Sequence, residues 1–290
     1  MTAGMLVGID LGTTNSAVAL WKDGAPQLVL NALGKELTPS AVSIAKGGQT
    51  WVGEAALDRM ATHPADTVTS FKRMMGTEST VTLAGTTLTP EDLSAMVLRS
   101  LADDVEAATG ERPTGAVITV PAYFNERQRR ATRRAGEIAG LEVKRLINEP
   151  TAAALAFGLT DRGDREPFLV FDLGGGTFDV SIVEMFEGIV EVRASAGDNR
   201  LGGDDFDEAL VKLVEPLLGN PDALATLPAD RRHALLTLAA ERTRRALLSA
   251  FELHVHPEPG SEAPRLFDLP FGPDSYRWAL DEPVRAAIPF

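Results

Sequence analysis

The sequence predicts an α/β protein built from two related lobes. Apolar strand-like segments and amphipathic helix-like segments alternate along the chain, which is the pattern of the α/β class. The ranges Gly8 to Leu20 and Val170 to Ile182 share one plan: an apolar strand, an Asp-Leu-Gly step, a turn of glycine and threonine, and a second apolar strand. The copies begin about 160 positions apart, close to one domain length, and such a duplication predicts two lobes that face each other.

Local signals predict the first elements in order. Met5 to Asp10 is a short apolar run typical of a strand, and it is followed by Leu-Gly-Thr-Thr. Ser16 to Trp21 and Gln27 to Leu30 predict a hairpin around Asp23-Gly24, a pair that tolerates positive φ. The first Gly/Thr turn therefore joins two strands near the start of the chain.

Two helices have clear boundary signals. Thr89-Pro90-Glu91-Asp92 combines a threonine cap, a proline at the first helical position and an acid three residues after the cap. Apolar residues then recur at helical spacing as far as Gly110, a typical helix end. The second helix is predicted to open at a cap near Asn125 and to end at Gly140.

The remaining elements of the first lobe are two strands and one helix. Ala116 to Val120, closed by a proline, and Leu141 to Ile147 are typical of buried strands. An alanine-rich helix is predicted from Pro150 to Phe157. The polar segment Asp161 to Pro167 predicts the connection between the lobes.

Composition limits the classes of function. The chain has 290 residues, 44 % of them hydrophobic, and it has no cysteine, which excludes disulfides and thiolate metal sites. No apolar run reaches the length needed to span a bilayer, and the first ten residues lack the pattern of a signal peptide, so we expect a cytoplasmic protein without a membrane partner.

The charge balance argues against a nucleic-acid partner. The 28 basic and 41 acidic residues give a net charge of −13, whereas binding to a phosphate backbone needs a basic face. The local exception is an arginine cluster on one predicted helix, which is either a nucleic-acid surface or, as we favour, a solvated or lobe-facing surface. Its members are Arg127, Arg129, Arg130, Arg133 and Arg134.

The paired turns predict a site for phosphate and a divalent metal. Glycines let backbone N–H groups approach phosphate oxygens, and threonine hydroxyls add donors. Carboxylates at the strand ends, Asp10 and Asp172, cannot bind phosphate directly but can hold Mg²⁺. One such turn is equally typical of an ordinary hairpin, but two on duplicated strands favour the site. The chain lacks a P-loop, and a strand rather than a helix follows Gly174-Gly175-Gly176, unlike the dinucleotide fingerprint.

Long stretches of the sequence resemble a known family. They are GIDLGTTNSAVA, SFKRMMG, VITVPAYFNERQRRAT, AGLEVKRLINEPTAAALAFGL, VFDLGGGTFDVS and SAGDNRLGGDDFDEAL, within residues 5–210. They are similar to the nucleotide-binding domain of DnaK-type (heat-shock 70 kDa) chaperones, which implies the actin-like (ribonuclease H-like) ATPase fold. The short segment between Met75 and Leu93 and the stretch AVALWKDG resemble the HscC-type branch.

The resemblance implies the domain limits. Lobe I would span 1–163, with a core of about 1–38 and 93–163 and an inserted subdomain of about 39–92. Lobe II would span 164–290, with a core of about 164–201 and an inserted subdomain of about 202–280. Its closing helix, strands and second glycine motif have no match, so we expect a second lobe truncated before its end, with an exposed sheet edge and unburied apolar surface.

The resemblance also assigns site residues. It implies that the turns bind phosphate and metal. It implies roles in hydrolysis for Lys72, Glu149, Thr177 and Asp179, and it places Asp179 near potassium sites. From spacing alone, Lys72 is more typical of a solvent-exposed lysine. The residues implied to hold the phosphates are Gly12, Thr13, Thr14, Asn15, Gly174, Gly175, Gly176 and Thr177, with Asp10 and Asp172 positioning Mg²⁺.

Further positions carry weaker implications. Pro121 and Arg129 match the family's relay to its substrate domain, although Pro121 alone is equally typical of a strand end. Contacts to purine and ribose, with neighbouring glycines, are implied for Gly202, Gly203, Glu241, Arg244 and Arg245, and the open alternative for these arginines is surface salt bridging. His254 and His256 alternate on a predicted strand, and without a third ligand they are typical of a surface.

The function implied is ATP binding and slow Mg²⁺-dependent hydrolysis to ADP, by in-line attack of water on the γ-phosphorus. The partners implied are a J-domain co-chaperone and a nucleotide exchange factor, with a client peptide only if a substrate domain is supplied elsewhere. Two alternatives stay open at this point. One is a catalytically inactive remnant that binds nucleotide or co-chaperone, and the other is an actin-like sugar kinase or filament protein.

Overall fold

The computed structural model describes residues 4–156, 167–186, 189–218 and 226–255. The chain divides into two compact units, Met1–Arg200 and Leu201–Phe290. Both the predicted lobe border at residues 163 and 164 and the predicted truncated end lie outside the described residues. Within them the chain is a mixture of sheets and helices, as the sequence predicts.

The described residues of the first unit form fourteen strands and four helices. The strands are β1 (Leu6–Leu11), β2 (Asn15–Lys22), β3 (Ala25–Leu28), β4 (Thr38–Pro39), β5 (Ala41–Ile44), β6 (Thr50–Val52), β7 (Thr67–Thr69), β8 (Val81–Leu83), β9 (Thr86–Leu88), β10 (Gly115–Val120), β11 (Glu142–Asn148), β12 (Phe168–Leu173), β13 (Phe178–Phe186) and β14 (Ile189–Asp198). The helices are α1 (Glu54–Met60), α2 (Pro90–Thr109), α3 (Glu126–Ala139) and α4 (Glu149–Ala156), and short 3₁₀ turns lie at Pro64–Asp66 and Phe71–Met74.

The largest sheet brings the ends of three parallel strands to one edge. Its order is β11-β10-β1-β2-β3, with β4 paired to β2, and β1, β10 and β11 are parallel to one another. Burial alternates along β1, so that Val7, Ile9 and Leu11 face the core and Asp10 faces away from it. The carboxyl end of this sheet is therefore where polar side chains can gather.

The helix boundaries confirm the predicted signals. The Thr89 side chain accepts a hydrogen bond from the Asp92 backbone N–H, and the Asp92 side chain accepts one from the Thr89 backbone N–H. Gly110 ends α2 with a φ of 77°. Asn125 and Gln128 form the same reciprocal cap for α3, which Gly140 ends. Buried faces of both helices belong to the core cluster that also includes the β1 residues.

The three-stranded sheet formed by β12, β13 and β14 has the same antiparallel arrangement as β1, β2 and β3. Its order is β12-β13-β14, all antiparallel, as β1-β2-β3 are. The turn between β12 and β13 is closed by the Gly174 N–H, which donates to the Thr177 carbonyl at 2.9 Å. Among the described residues β12 is an edge strand, and its Leu169 and Phe171 side chains are exposed.

The second unit is helical in its described part. It holds α5 (Gly203–Val214), a 3₁₀ turn at Glu215–Leu218 and α6 (Ala229–Val255). The strand predicted around His254 is wrong, because α6 continues through that residue, and His256 lies outside the described residues. Across the described ranges of both units, none of the helices is long and apolar enough to cross a membrane.

Candidate functional site

The carboxyl edge of the largest sheet assembles the first part of the site. Because β1, β10 and β11 are parallel and adjacent, their last residues come together. Asp10 comes from β1 and Thr119 from β10, and Glu149 follows β11 directly as the first residue of α4. The sequence predicts Asp10 and Glu149 as site residues, and the structure brings them together.

The first turn, residues 12–15, is held by a buried serine. Ser40 Oγ donates to the Gly12 carbonyl at 2.7 Å, and the Ser40 N–H donates to the Thr14 carbonyl at 2.7 Å. A Cβ added at Gly12 would lie closer than 3.0 Å to the Asn15 carbonyl oxygen, so only glycine fits this turn. Two bonds to its carbonyls and one tight approach thus fix the shape of the turn.

The turn also presents buried hydroxyls that have no protein partner. Thr13 Oγ1 and Thr14 Oγ1 are buried and form no hydrogen bond within the described part of the chain. Buried polar atoms are nearly always satisfied, so an unpartnered pair on a glycine turn calls for a ligand that accepts hydrogen bonds. Phosphate oxygens meet that requirement.

The second turn, residues 174–177, lies directly against the first. A Cβ at Gly175 would lie within 3.0 Å of Thr14 Oγ1, and one at Gly176 within 3.0 Å of Thr13 Cγ2. The Arg73 Nε donates to the Gly176 carbonyl at 2.6 Å and ties the second turn to the segment that also carries Lys72. The two predicted phosphate turns are therefore neighbours in the first unit.

Lys72 is a buried member of this cluster. Its Nζ donates to Glu149 Oε1 at 2.7 Å, and the two side chains are 5 % and 17 % exposed. The alternative of a solvent-exposed lysine is therefore wrong. Burial raises the pKa of Glu149, and the nearby Lys72 ammonium opposes that rise.

Two more carboxylates are neighbours on adjacent strands of the β12-β13-β14 sheet. Asp172 on β12 pairs in register with Asp179 on β13. Partial burial and the charge of Asp10 raise the pKa of Asp172, and the charge of Lys72 opposes part of that rise. Burial and the charges of Glu149 and Asp172 raise the pKa of Asp179 to about 7, and Asp179 Oδ1 has no hydrogen-bond partner among the described residues.

The charges of the cluster fit a divalent cation. Asp10, Glu149, Asp172 and Asp179 lie near the Lys72 ammonium, and burial, together with the charges of neighbouring carboxylates, raises the pKa of Glu149, Asp172 and Asp179. Within the described ranges no three carboxylate or histidine side chains are placed to hold a metal by themselves. A cation at Asp10 and Asp172 would therefore complete its shell with phosphate oxygens and water, as Mg²⁺ commonly does.

A pH-dependent stability follows from Asp179. Its pKa is about 7 in the folded chain and 3.8 ordinarily, so the folded state holds its proton more tightly than the unfolded state does. The metal-free protein should therefore lose stability as pH rises towards and through about 7, by roughly 1–3 kcal/mol. Asp179→Asn should remove most of this loss and be the more stable form above pH 7.

Denaturant unfolding with EDTA, from about pH 5.5 to about pH 8, measures this difference. This range stays above the isoelectric point of about 4.8, near which the chain has little net charge. Parallel pH profiles for the wild type and Asp179→Asn would contradict the assignment.

The support of the first turn gives a second prediction. Ser40→Ala should cost about 1–3 kcal/mol, because it leaves the Gly12 carbonyl without its buried donor. It should also weaken binding of any phosphate ligand at the turn. Ser43→Ala is the matched control, since Ser43 is equally buried but bonds to the Asp66 carbonyl. Calorimetric titration with ATP should separate the two variants, and equal affinities would count against the role of Ser40.

The residues of the implied relay lie beside this cluster. Pro121 is buried and follows β10, and Arg129 donates to the Phe124 carbonyl, the Ala122 carbonyl and Asn148 Oδ1. Arg129 also borders a cavity of about 320 Å³ between α3 and β11. The other residues lining that cavity are Glu126, Arg130, Arg133, Lys144, Arg145 and Leu146.

The predicted purine-side residues all belong to the second unit. Gly202 caps α5 and Gly203 is its first residue. Arg244 forms two hydrogen bonds to Asp207, at 2.7 and 2.9 Å, and Arg245 pairs with Glu241 at 2.7 Å. The structure thus gives both arginines ion-pair partners within this unit.

Sequence reasoning missed Ser40, Thr119, Arg73, Tyr123 and Asp207. Tyr123 is partly buried, and burial together with the charges of Asp179 and Glu149 raises its pKa far above the ordinary value. The available signals were weak: Arg73, Thr119, Tyr123 and Asp207 stand inside the resembling stretches, and Ser40 lies outside them.

The comparison with known proteins agrees with this geometry. A sequence model of the family described as Hsp70 protein matches residues 6–82 and 77–257 of the chain. The matched ranges include both turns, the four carboxylates and Lys72, and they cover most of the sequence. The chain belongs to the Hsp70 family and contains its type of nucleotide-binding module.

Proposed function

We propose that this chain binds ATP with Mg²⁺ at the two turns and hydrolyses it slowly, as the nucleotide-binding module of an Hsp70-type chaperone with the actin-like ATPase fold. The observation that carries the proposal is the buried Lys72–Glu149 pair among three further carboxylates. A buried ion pair is weak evidence for stability, so its presence beside unpartnered threonine hydroxyls favours a functional role.

Binding of the phosphates falls to the turns. Thr13 and Thr14 would donate their free hydroxyls to phosphate oxygens, and the glycine backbone would supply N–H donors at close range. Asp10 and Asp172 would hold Mg²⁺, in part through its water. When bound, the cation neutralises phosphate charge and polarises the γ-phosphoryl group.

Hydrolysis is a displacement at the γ-phosphorus. The water oxygen forms a bond to that phosphorus while the bond to the β,γ-bridging oxygen breaks, and ADP leaves with the electron pair. Lys72, oriented by Glu149, would stabilise the charge that develops on the transferred group. Asp179, with a pKa of about 7, is suited to accept a proton from the water at neutral pH, and Thr177 would contact the γ-phosphate.

Finer parts of the proposal rest on the resemblance. They are membership of the HscC-type branch, a role in the stress response, K⁺ near Asp179, and interactions with a J-domain co-chaperone and a nucleotide exchange factor. The relay through Pro121 and Arg129 and the purine contacts of the second unit belong here too.

Single-turnover hydrolysis tests the proposal. With protein in excess over γ-labelled ATP and Mg²⁺ present, phosphate should be released in one slow exponential phase, and EDTA should stop it. Binding without any release would favour the alternative of an inactive remnant. Phosphate transfer to a sugar, or nucleotide-dependent filaments, would favour the kinase or filament alternative, against which the family match argues.

A further inference from the structure

Thr119 contacts the carboxylate that ends the first strand. Its Oγ1 donates to Asp10 Oδ1 at 2.6 Å, a short bond of the kind that charged acceptors form. The two residues are 109 positions apart in sequence. Among the described residues this is the one side-chain hydrogen bond to Asp10.

The strand register makes the contact a fixed feature of the fold. Ile9 on β1 pairs with Ile118 on the parallel β10, so the next residues, Asp10 and Thr119, stand side by side on the face away from the core. On the other side of Asp10 the paired residue on β2 is Ala17, whose methyl group offers no hydrogen bond. Thr119 is therefore the neighbour in the sheet that orients this carboxylate.

We propose that Thr119 is a positioning residue for the metal site, because it holds one oxygen of Asp10 and thereby directs the other towards the cation. This inference rests on the proposed function. Groups that orient a metal ligand typically change metal affinity about 10- to 100-fold when they are removed. An Asp10 carboxylate without this bond would rotate among several orientations, and only some of them would serve the metal.

The role predicts an effect on the metal that is separate from any effect on nucleotide. Thr119→Val keeps the branched shape on the strand but removes the hydroxyl, and Thr119→Ser keeps the hydroxyl. For the ADP-bound chain, the Val variant should bind Mg²⁺, or Mn²⁺ as a paramagnetic probe, about tenfold more weakly than the wild type. The Ser variant should stay within about threefold of the wild type.

The measurement is a Mn²⁺ titration followed by electron paramagnetic resonance, with ADP saturating, and a parallel ADP titration in EDTA. All variants should bind ADP equally in EDTA, since Thr119 does not act on the nucleotide. Thr119→Ala provides a second hydroxyl-free variant should the Val form unfold.

The outcomes separate the two claims. A wild type that binds no Mn²⁺ in the presence of ADP would contradict the proposed function itself. A wild type that binds Mn²⁺, with hydroxyl-free variants of equal metal affinity, would overturn the role of Thr119 alone. A parallel loss of ADP affinity in EDTA would also overturn it, because that result indicates a general structural role.

Discussion

Lys72→Ala should lower the single-turnover rate of ATP hydrolysis by about 10²- to 10³-fold while ATP still binds. The ammonium that donates to Glu149 at 2.7 Å lies among the carboxylates of the cluster, so its loss removes charge stabilisation at the transferred phosphoryl group. Binding should survive because the turn hydroxyls and backbone remain. The measurement is phosphate release with protein in excess, alongside a titration with ATP.

The same substitution should also destabilise the fold, and this effect must be separated from catalysis. Glu149 is left largely buried without its counter-charge, which typically costs about 3–5 kcal/mol. The double variant Lys72→Ala/Glu149→Gln should recover most of that stability but none of the hydrolysis. Lys35→Ala is the control, because Lys35 pairs with Glu54 at an exposed position and should change neither property. Hydrolysis restored by the double variant would contradict a catalytic role for Lys72.

Gly12→Ala should weaken ATP binding by at least about 100-fold, the second large effect. The added Cβ would meet the Asn15 carbonyl oxygen, which is backbone and cannot move aside without reshaping the turn. Since Ser40 bonds to the carbonyls of Gly12 and Thr14, that reshaping also breaks the support of the turn.

Gly8→Ala is the matched control for Gly12→Ala. Gly8 lies on β1, the strand that leads into this turn, and a Cβ there meets nothing within 4 Å. Titration calorimetry and a melting curve for each variant would show whether binding is lost selectively. Equal ATP affinity for Gly12→Ala and Gly8→Ala would mean that this turn does not hold phosphate.

The sequence predicts those features of the fold, such as helix caps and tight turns, that depend on residues close together in the chain. The reciprocal cap of Thr89 with Asp92, and the glycine that ends the same helix, involve residues within one turn of each other. The hairpin at Asp23-Gly24 is likewise local, and both residues have positive φ in the structure. The paired Gly/Thr turns were recognisable because the plan occurs twice.

What could not be predicted depends on contacts between distant residues. The burial of Lys72 comes from a partner 77 positions away, and no spacing pattern near Lys72 signals it. The strands between residues 38 and 88 are two to four residues long, too short for a period to be recognised. Near His254, alternation over a few residues predicts a strand where a long helix continues.

The central claim, that the paired turns bind ATP together with a divalent metal, is tested most directly by calorimetric titration of the chain with ATP, with and without Mg²⁺. We predict saturable binding at one site per chain, with an affinity that falls at least about tenfold when EDTA replaces Mg²⁺. No binding by folded protein, or binding that Mg²⁺ does not strengthen, would contradict the claim.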